Sequence, residues 1–136
     1  MKVFLWIWQL FQNVIGIILI KVTKATVKGR VIDGKIIDYY VSRRFNKTWF
    51  GVSLGNYIVF AKDAYADEIS VRHEHGHQIQ SLQFGPLYLI FVCIPSFVRN
   101  IWDRIAHKSW TNKQRVEWYY GHFPENQADY YGGVKR

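Results

Sequence analysis

The chain has 136 residues, enough for one domain with a modest core, and contains no internal repeat or low-complexity tract. Its single cysteine, Cys93, excludes a disulfide framework and a cysteine-type zinc site, and suits a reducing compartment. A formal net charge of +8 fits nucleic acid, anionic lipid or a solvated surface, so the position of the charge has to decide among them.

Residues 3–20 form an apolar run interrupted only by Gln9, Gln12, Asn13 and Gly16. As a helix it is about long enough to cross a bilayer, and no small-x-small cleavage site precedes Lys21, so an uncleaved anchor over residues 1–20 is expected. The four interruptions fall at i, i+3, i+4 and i+7. They line one stripe suited to protein or the interface, which keeps a buried or in-plane helix as the alternative.

From residue 26 to 61 the pattern becomes extended. Val27 to Ile32 and Lys35 to Val41 flank Asp33-Gly34, and Trp49 to Leu54 and Tyr57 to Phe60 flank Gly55-Asn56. Both are hairpins with two-residue turns, and they predict a small antiparallel sheet. An open edge there would offer main-chain hydrogen bonds to an extended peptide, or the second hairpin simply covers the next helix.

That helix is predicted over residues 63–84. Asp63 or Asp67 caps it, Glu68 and Arg72 form an i,i+4 pair, and Phe84-Gly85-Pro86 ends it. It carries His73-Glu74-His75-Gly76-His77, the H-E-x-x-H spacing. Two imidazoles one turn apart can reach one ion, and Glu74, about 100° round the helix, is placed as general base for a zinc-activated water. His75 projects away from the His73/His77 line and reads as a solvated or supporting histidine.

Residues 84–98 are a second apolar run with Pro86 and Pro95 near its ends. It is short for a straight crossing. If ligands before and after it bind one ion, it must dip and return, lie in the interface, or be buried in protein.

A catalytic zinc needs a third protein ligand. Glu125 is the favoured candidate, in a short helix over 124–131 with Pro124 at its start and Gly132-Gly133 at its stop. Asp129, one turn on, can accept the free ring N–H of a ligating histidine and fix its tautomer. His122 and His107 are rival ligands, and Tyr119, Tyr120, Tyr130 and Tyr131 are candidate oxyanion donors among which spacing does not choose.

His73-Glu74-x-x-His77 followed by Glu125-x-x-x-Asp129 resembles the gluzincin metallopeptidases. The chain is also similar to a group of small bacterial membrane proteins carrying that motif, through Trp8-Gln9-Leu10, Ser53-Leu54-Gly55-Asn56-Tyr57-Ile58, Gln80-Ser81, Gly85-Pro86-Leu87-Tyr88-Leu89, Pro95-Ser96, and Ala128-Asp129 through Gly132-Gly133-Val134. The resemblance implies that Glu125 is the third zinc ligand, that Asp129 orients His73, and that the edge strand beside the motif helix holds substrate. His75 is an extra imidazole within the motif.

Charge bears on location. Residues 21–48 carry eight Lys or Arg against two Asp, and residues 99–115 carry five against one. Both blocks directly follow apolar runs, as lipid-flanking charge does, and favour a cytoplasmic position for the chain segments beyond them. Trp110 and Trp118 among basic residues fit a lipid surface as well as nucleic-acid stacking, and no nucleic-acid motif is present.

The expectation is one α+β domain, zincin-like, over residues 1–136. Zn2+ would be held by His73, His77 and Glu125, with Glu74 as base and Asp129 behind a histidine. The partners would be a peptide or protein substrate and a lipid membrane, with the bacterial inner membrane as the implied location. A non-catalytic protein with a structural zinc, and a basic lipid- or nucleic-acid-binding adaptor, are the other classes.

Overall fold

The computed structural model describes residues 1–47 and 49–136. The chain is mixed α+β: α1 (Lys2–Trp8), α2 (Leu10–Thr23), β1 (Thr26–Ile32), β2 (Lys35–Val41), β3 (Gly51–Leu54), β4 (Tyr57–Phe60), α3 (Glu68–Phe84), α4 (Ile94–Ala106), α5 (Asn112–Tyr120) and α6 (Glu125–Gly132).

The first apolar run is not one helix. It breaks at Gln9, and α1 and α2 meet at 86°. Side-chain amides bond to carbonyls of α1 at the break, with Asn13 Nδ2 donating to Trp6 O at 3.0 Å and Gln9 Nε2 to Leu5 O at 3.3 Å. Among the described residues no single helix is long and apolar enough to cross a membrane; the bent pair passes together on length and composition.

The polar stripe of this run faces protein, one of the two surroundings its spacing allows. Gln9, Gln12 and Asn13 are at most 1 % exposed, while Val3, Phe4, Ile7, Phe11 and Ile18 lie open. The buried amides are tied to distant backbone and side chains. Gln12 Nε2 donates to Gly85 O at 2.8 Å and to Ser81 Oγ at 3.0 Å, Ser81 Oγ donates to Gln9 Oε1 at 2.6 Å, and Asn13 Oδ1 accepts from Asn56 N at 2.8 Å. An inside-polar, outside-apolar helix reverses the arrangement of a water-facing one.

Both hairpins form, but the sheet is mixed. Its order is β1-β2-β4-β3, with β2 and β4 parallel through Tyr40↔Val59 and Val41↔Phe60. β3 begins at Gly51, later than the expected Trp49, and forms one edge of the sheet. Its pairing with β4 runs from Gly51↔Phe60 to Leu54↔Tyr57 around the Gly55-Asn56 turn. One face of the sheet and α3 enclose the core of Ile32, Ile37, Tyr39, Val41, Ile58, Phe60 and Val71.

Asp67 is the cap of α3, accepting from Ser70 N at 2.8 Å, whereas Asp63 sits in a preceding 3-10 turn and pairs with Lys28. Arg72 binds Glu68 as expected and also grips Asp33 of the β1–β2 turn at 2.6 Å, pinning that hairpin to the helix. Beyond α3 the second apolar run becomes a 3-10 turn (Gly85–Leu87), a π turn (Leu89–Cys93) and α4. α4 runs on to Ala106, past the expected boundary at 98, and shows solvent Ile94, Phe97, Val98, Ile101, Trp102 and Ile105. The apolar pattern does not predict α5. A capping box announces it, in which Thr111 accepts from Gln114 N and Gln114 returns to Thr111 N at 2.9 Å.

Candidate metal centre

The site is built where α6 lies against α3. Their backbones approach so closely that a Cβ added at Gly76 would stand 1.9 Å from Ala128 O, and one added at Gly132 would stand 2.0 Å from Arg72 O. Gly76 is therefore the point at which the motif helix admits its partner. With the helices this close, Glu125 and Asp129, one turn apart on α6, reach the His73/His77 face of α3.

Glu125 Oε2 lies 3.0 Å from His73 Nε2 and 3.2 Å from His77 Nε2. The three donor atoms fall within 4.8 Å of one another, and all three residues are buried. Bonds of about 2.0–2.1 Å in a tetrahedral zinc site separate ligands by about 3.3–3.4 Å, close to these spacings, so the donor set fits the metal. Each ligand is held from behind. Asp129 Oδ1 accepts from His73 Nδ1 at 2.6 Å, and Gln80 Oε1 accepts from His77 Nδ1 at 2.7 Å. Gln80 Nε2 in turn donates to Pro124 O at 2.9 Å and to Gln127 Oε1 at 2.8 Å, which settles the orientation of its amide. Both rings therefore carry a proton on Nδ1 and direct Nε2 towards the shared carboxylate. Glu125 Oε1 accepts from Ser96 Oγ and from the Tyr119 hydroxyl, leaving Oε2 for the imidazoles.

The electrostatics follow from this packing. Burial alone would push His73 down, but its hydrogen bonds to Asp129 and Glu125 and the nearby Glu74 charge outweigh it and hold the pKa up to about 9. Burial would likewise raise Glu125, yet the two imidazoles overcome it and hold the carboxyl well below its ordinary range. Asp129 is lowered against its own burial by His73 and Arg136. Glu74 is raised by burial, which outweighs the attraction of His77 and His73. Its Oε2 is buried without a hydrogen-bond partner, and its Oε1 lies towards Gly51 at the start of β3. A buried, raised carboxyl with an unused oxygen beside three metal-type donors is equipped to take up and return a proton.

β3 borders the site. Leu54↔Tyr57 flanks the two-residue turn, so hydrogen-bonded pairs alternate from there and the main-chain groups of Gly51 and Ser53 point to the open edge. Ser53 O is already taken by the Tyr88 hydroxyl at 2.9 Å. Gly51, next to Glu74, presents its main-chain groups at that edge.

The rival ligands are elsewhere. His122 Nδ1 donates to Trp118 O at 2.7 Å on the surface, and His107 pairs with Asp103 and stacks on Trp110 at 3.7 Å. His75 bonds Gln78 and lines a cavity of about 340 Å³ with Gln9, Asp38 and Asn56, away from the ligands. Of the tyrosines, Tyr130 is 81 % exposed, Tyr119 binds Glu125, and Tyr120 stands edge-on to His73 at 5.2 Å. Four contributors escape a reading of the sequence in these roles: Gly76, Gln80, Ser96 and Arg136. Gln80 has a local signal, since it follows His77 by three residues on one helical face. Ser96 has none, because only folding brings it to a carboxylate 29 positions away. No family model, curated protein or solved structure matches the chain.

Proposed function

We propose that the protein is a membrane-associated, gluzincin-like zinc hydrolase that cleaves a peptide bond. The observation that carries this reading is the convergence of His73, His77 and Glu125 within 4.8 Å, beside the partnerless buried oxygen of Glu74. A bound zinc would supply Lewis acidity towards water and the scissile carbonyl. Glu74 Oε2 takes the proton from the attacking water and delivers it to the leaving amine. Asp129 and Gln80 keep both Nε2 lone pairs aimed at the ion. An extended peptide pairs with the main chain of Gly51, and Tyr88 limits that pairing at Ser53.

Membrane association rests on the outward apolar faces of α1, α2 and α4. Gln12 ties α2 to the turn after α3 through Gly85 O, and the amides of Gln9, Gln12 and Asn13 turn inward to protein partners rather than outward, as a lipid-facing surface demands. Basic blocks after each apolar run favour the cytoplasmic side, which tag labelling in intact and permeabilised cells would test; a C-terminal tag labelled from outside opposes it.

The enzymatic test uses detergent-purified protein, with zinc content and hydrolysis of a quenched-fluorescent peptide library measured on Glu74→Gln and His77→Ala. Glu74→Gln is expected to keep zinc and lose about 10²–10⁴-fold in rate, and His77→Ala to lose the metal. A Glu74→Gln protein with both zinc and full activity removes the proposed base. The burial of His73, Glu74, His77 and Glu125, each below a tenth exposed, favours a second reading, a structural zinc joining α3 to α6. Zinc-dependent stability without turnover selects it.

A further inference from the structure

The residues after α6 fold back onto the site. Gly133 adopts a left-handed conformation, and the paired bonds Gly133 N to Tyr130 O at 3.3 Å and Val134 N to Asp129 O at 2.9 Å close a Schellman turn. The reversal brings Arg136 alongside Asp129. Its Nε donates to Oδ2 at 2.7 Å and its Nη2 to Oδ1 at 3.1 Å, a two-point grip on one carboxylate. The guanidinium lies 3.4 Å over the Tyr120 ring, which fixes its plane, and Tyr120 itself stands edge-on to His73.

We propose that Arg136 is a positioning residue that acts through Asp129 to set the direction of His73 Nε2, and so the strength with which the site holds its metal. The inference rests on the metal reading above. A carboxylate that accepts one imidazole N–H can rotate about its own bond, and the planar guanidinium fork removes that freedom. The pair is partly shielded, with side-chain accessibilities of 27 % and 12 %, so solvent screens it less than an open surface pair. Lysine would supply the charge but neither the second contact nor the stacking.

The test is a double-mutant cycle on the full chain in detergent, in which Zn2+ affinity is read by competition with a chromophoric chelator and geometry by the Co2+ absorption spectrum. Arg136→Ala is expected to weaken Zn2+ binding about tenfold and broaden the Co2+ bands, and Arg136→Lys to restore part of the loss. In an Asp129→Asn background the same Arg136→Ala change should alter affinity by less than about twofold. An equal loss in both backgrounds overturns the inference, and general unfolding produces that result too. An unchanged affinity in Arg136→Ala also overturns it. Wild-type protein that binds neither ion overturns this inference together with the metal reading, whereas tight wild-type binding with an additive cycle overturns this inference alone.

Discussion

Replacing Gly76 by alanine separates two physical expectations of opposite sign. On an exposed helix the change stabilises by about 1 kcal/mol, because alanine is the better helix former. At the α3–α6 contact the new Cβ would lie 1.9 Å from Ala128 O and 2.6 Å from its carbonyl carbon, against about 3.4 Å for ordinary contact. The obstacle is backbone rather than a flexible side-chain end, so α6 must retreat by roughly 1.5 Å, the difference between those two distances. Overpacking of this kind costs about 1–3 kcal/mol. The same retreat stretches the 2.6 Å bond from His73 to Asp129 and the 3.0 Å approach of Glu125 beyond contact. Gly76→Ala should thus lower the melting temperature and weaken Zn2+ binding at least tenfold, the range seen when groups supporting a ligand are lost. Thermal melting with EDTA and chelator competition read the two effects separately. A variant that melts higher than wild type and binds zinc equally well would refute the backbone-to-backbone packing and the site built on it.

Gln80→Leu removes the acceptor of His77 Nδ1 and the donor to Pro124 O together, and should cost about 1–3 kcal/mol for each buried group left unpaired, with a 10- to 100-fold loss in zinc affinity by chelator competition. Metal-free stability should depend on pH in a set direction. His73 is raised from 6.5 to about 9, so its contribution is complete below about pH 6.5 and is lost as pH climbs towards 9. Glu125 and Asp129 are lowered, so their contributions are present above their ordinary values of 4.5 and 3.8 and are lost as pH falls through the lowered ones. Melting in EDTA should therefore peak at mildly acidic pH and decline to pH 9; a melting temperature that rises from pH 6.5 to 9 contradicts this. Zinc should reverse the alkaline decline, since binding requires neutral imidazoles.

How much is legible in the sequence varies with the range of the interaction. The Glu68–Arg72 pair and the stop at Gly85 follow from neighbours within a turn, and so do both hairpins, whose turn residues Asp33-Gly34 and Gly55-Asn56 adopt positive φ at Asp33, Gly34 and Gly55, whereas the α3 cap is narrowed only to Asp63 or Asp67 until the structure selects Asp67. The parallel join of β2 to β4 leaves no such mark, because its partners depend on how two separate hairpins dock. The break at Gln9 is hidden for a related reason. An apolar run reads as continuous helix until its own polar side chains find partners elsewhere in the chain, and here Asn13, Gln9 and Gln12 are held by Asn56 N, Ser81 Oγ and Gly85 O.

By itself the sequence determined which donors exist and on which helical faces they stand: two imidazoles one turn apart, a neighbouring carboxylate, and Glu125 and Asp129 spaced to match. Only the tertiary structure decided that these faces meet, that His122 and His107 stay away, and that Gln80, Ser96, Tyr119 and Arg136 support the set. Helix periodicity is a local property carried by successive φ and ψ angles, whereas the meeting of α3 with α6 depends on two glycines permitting main chains to touch across some fifty residues of intervening chain.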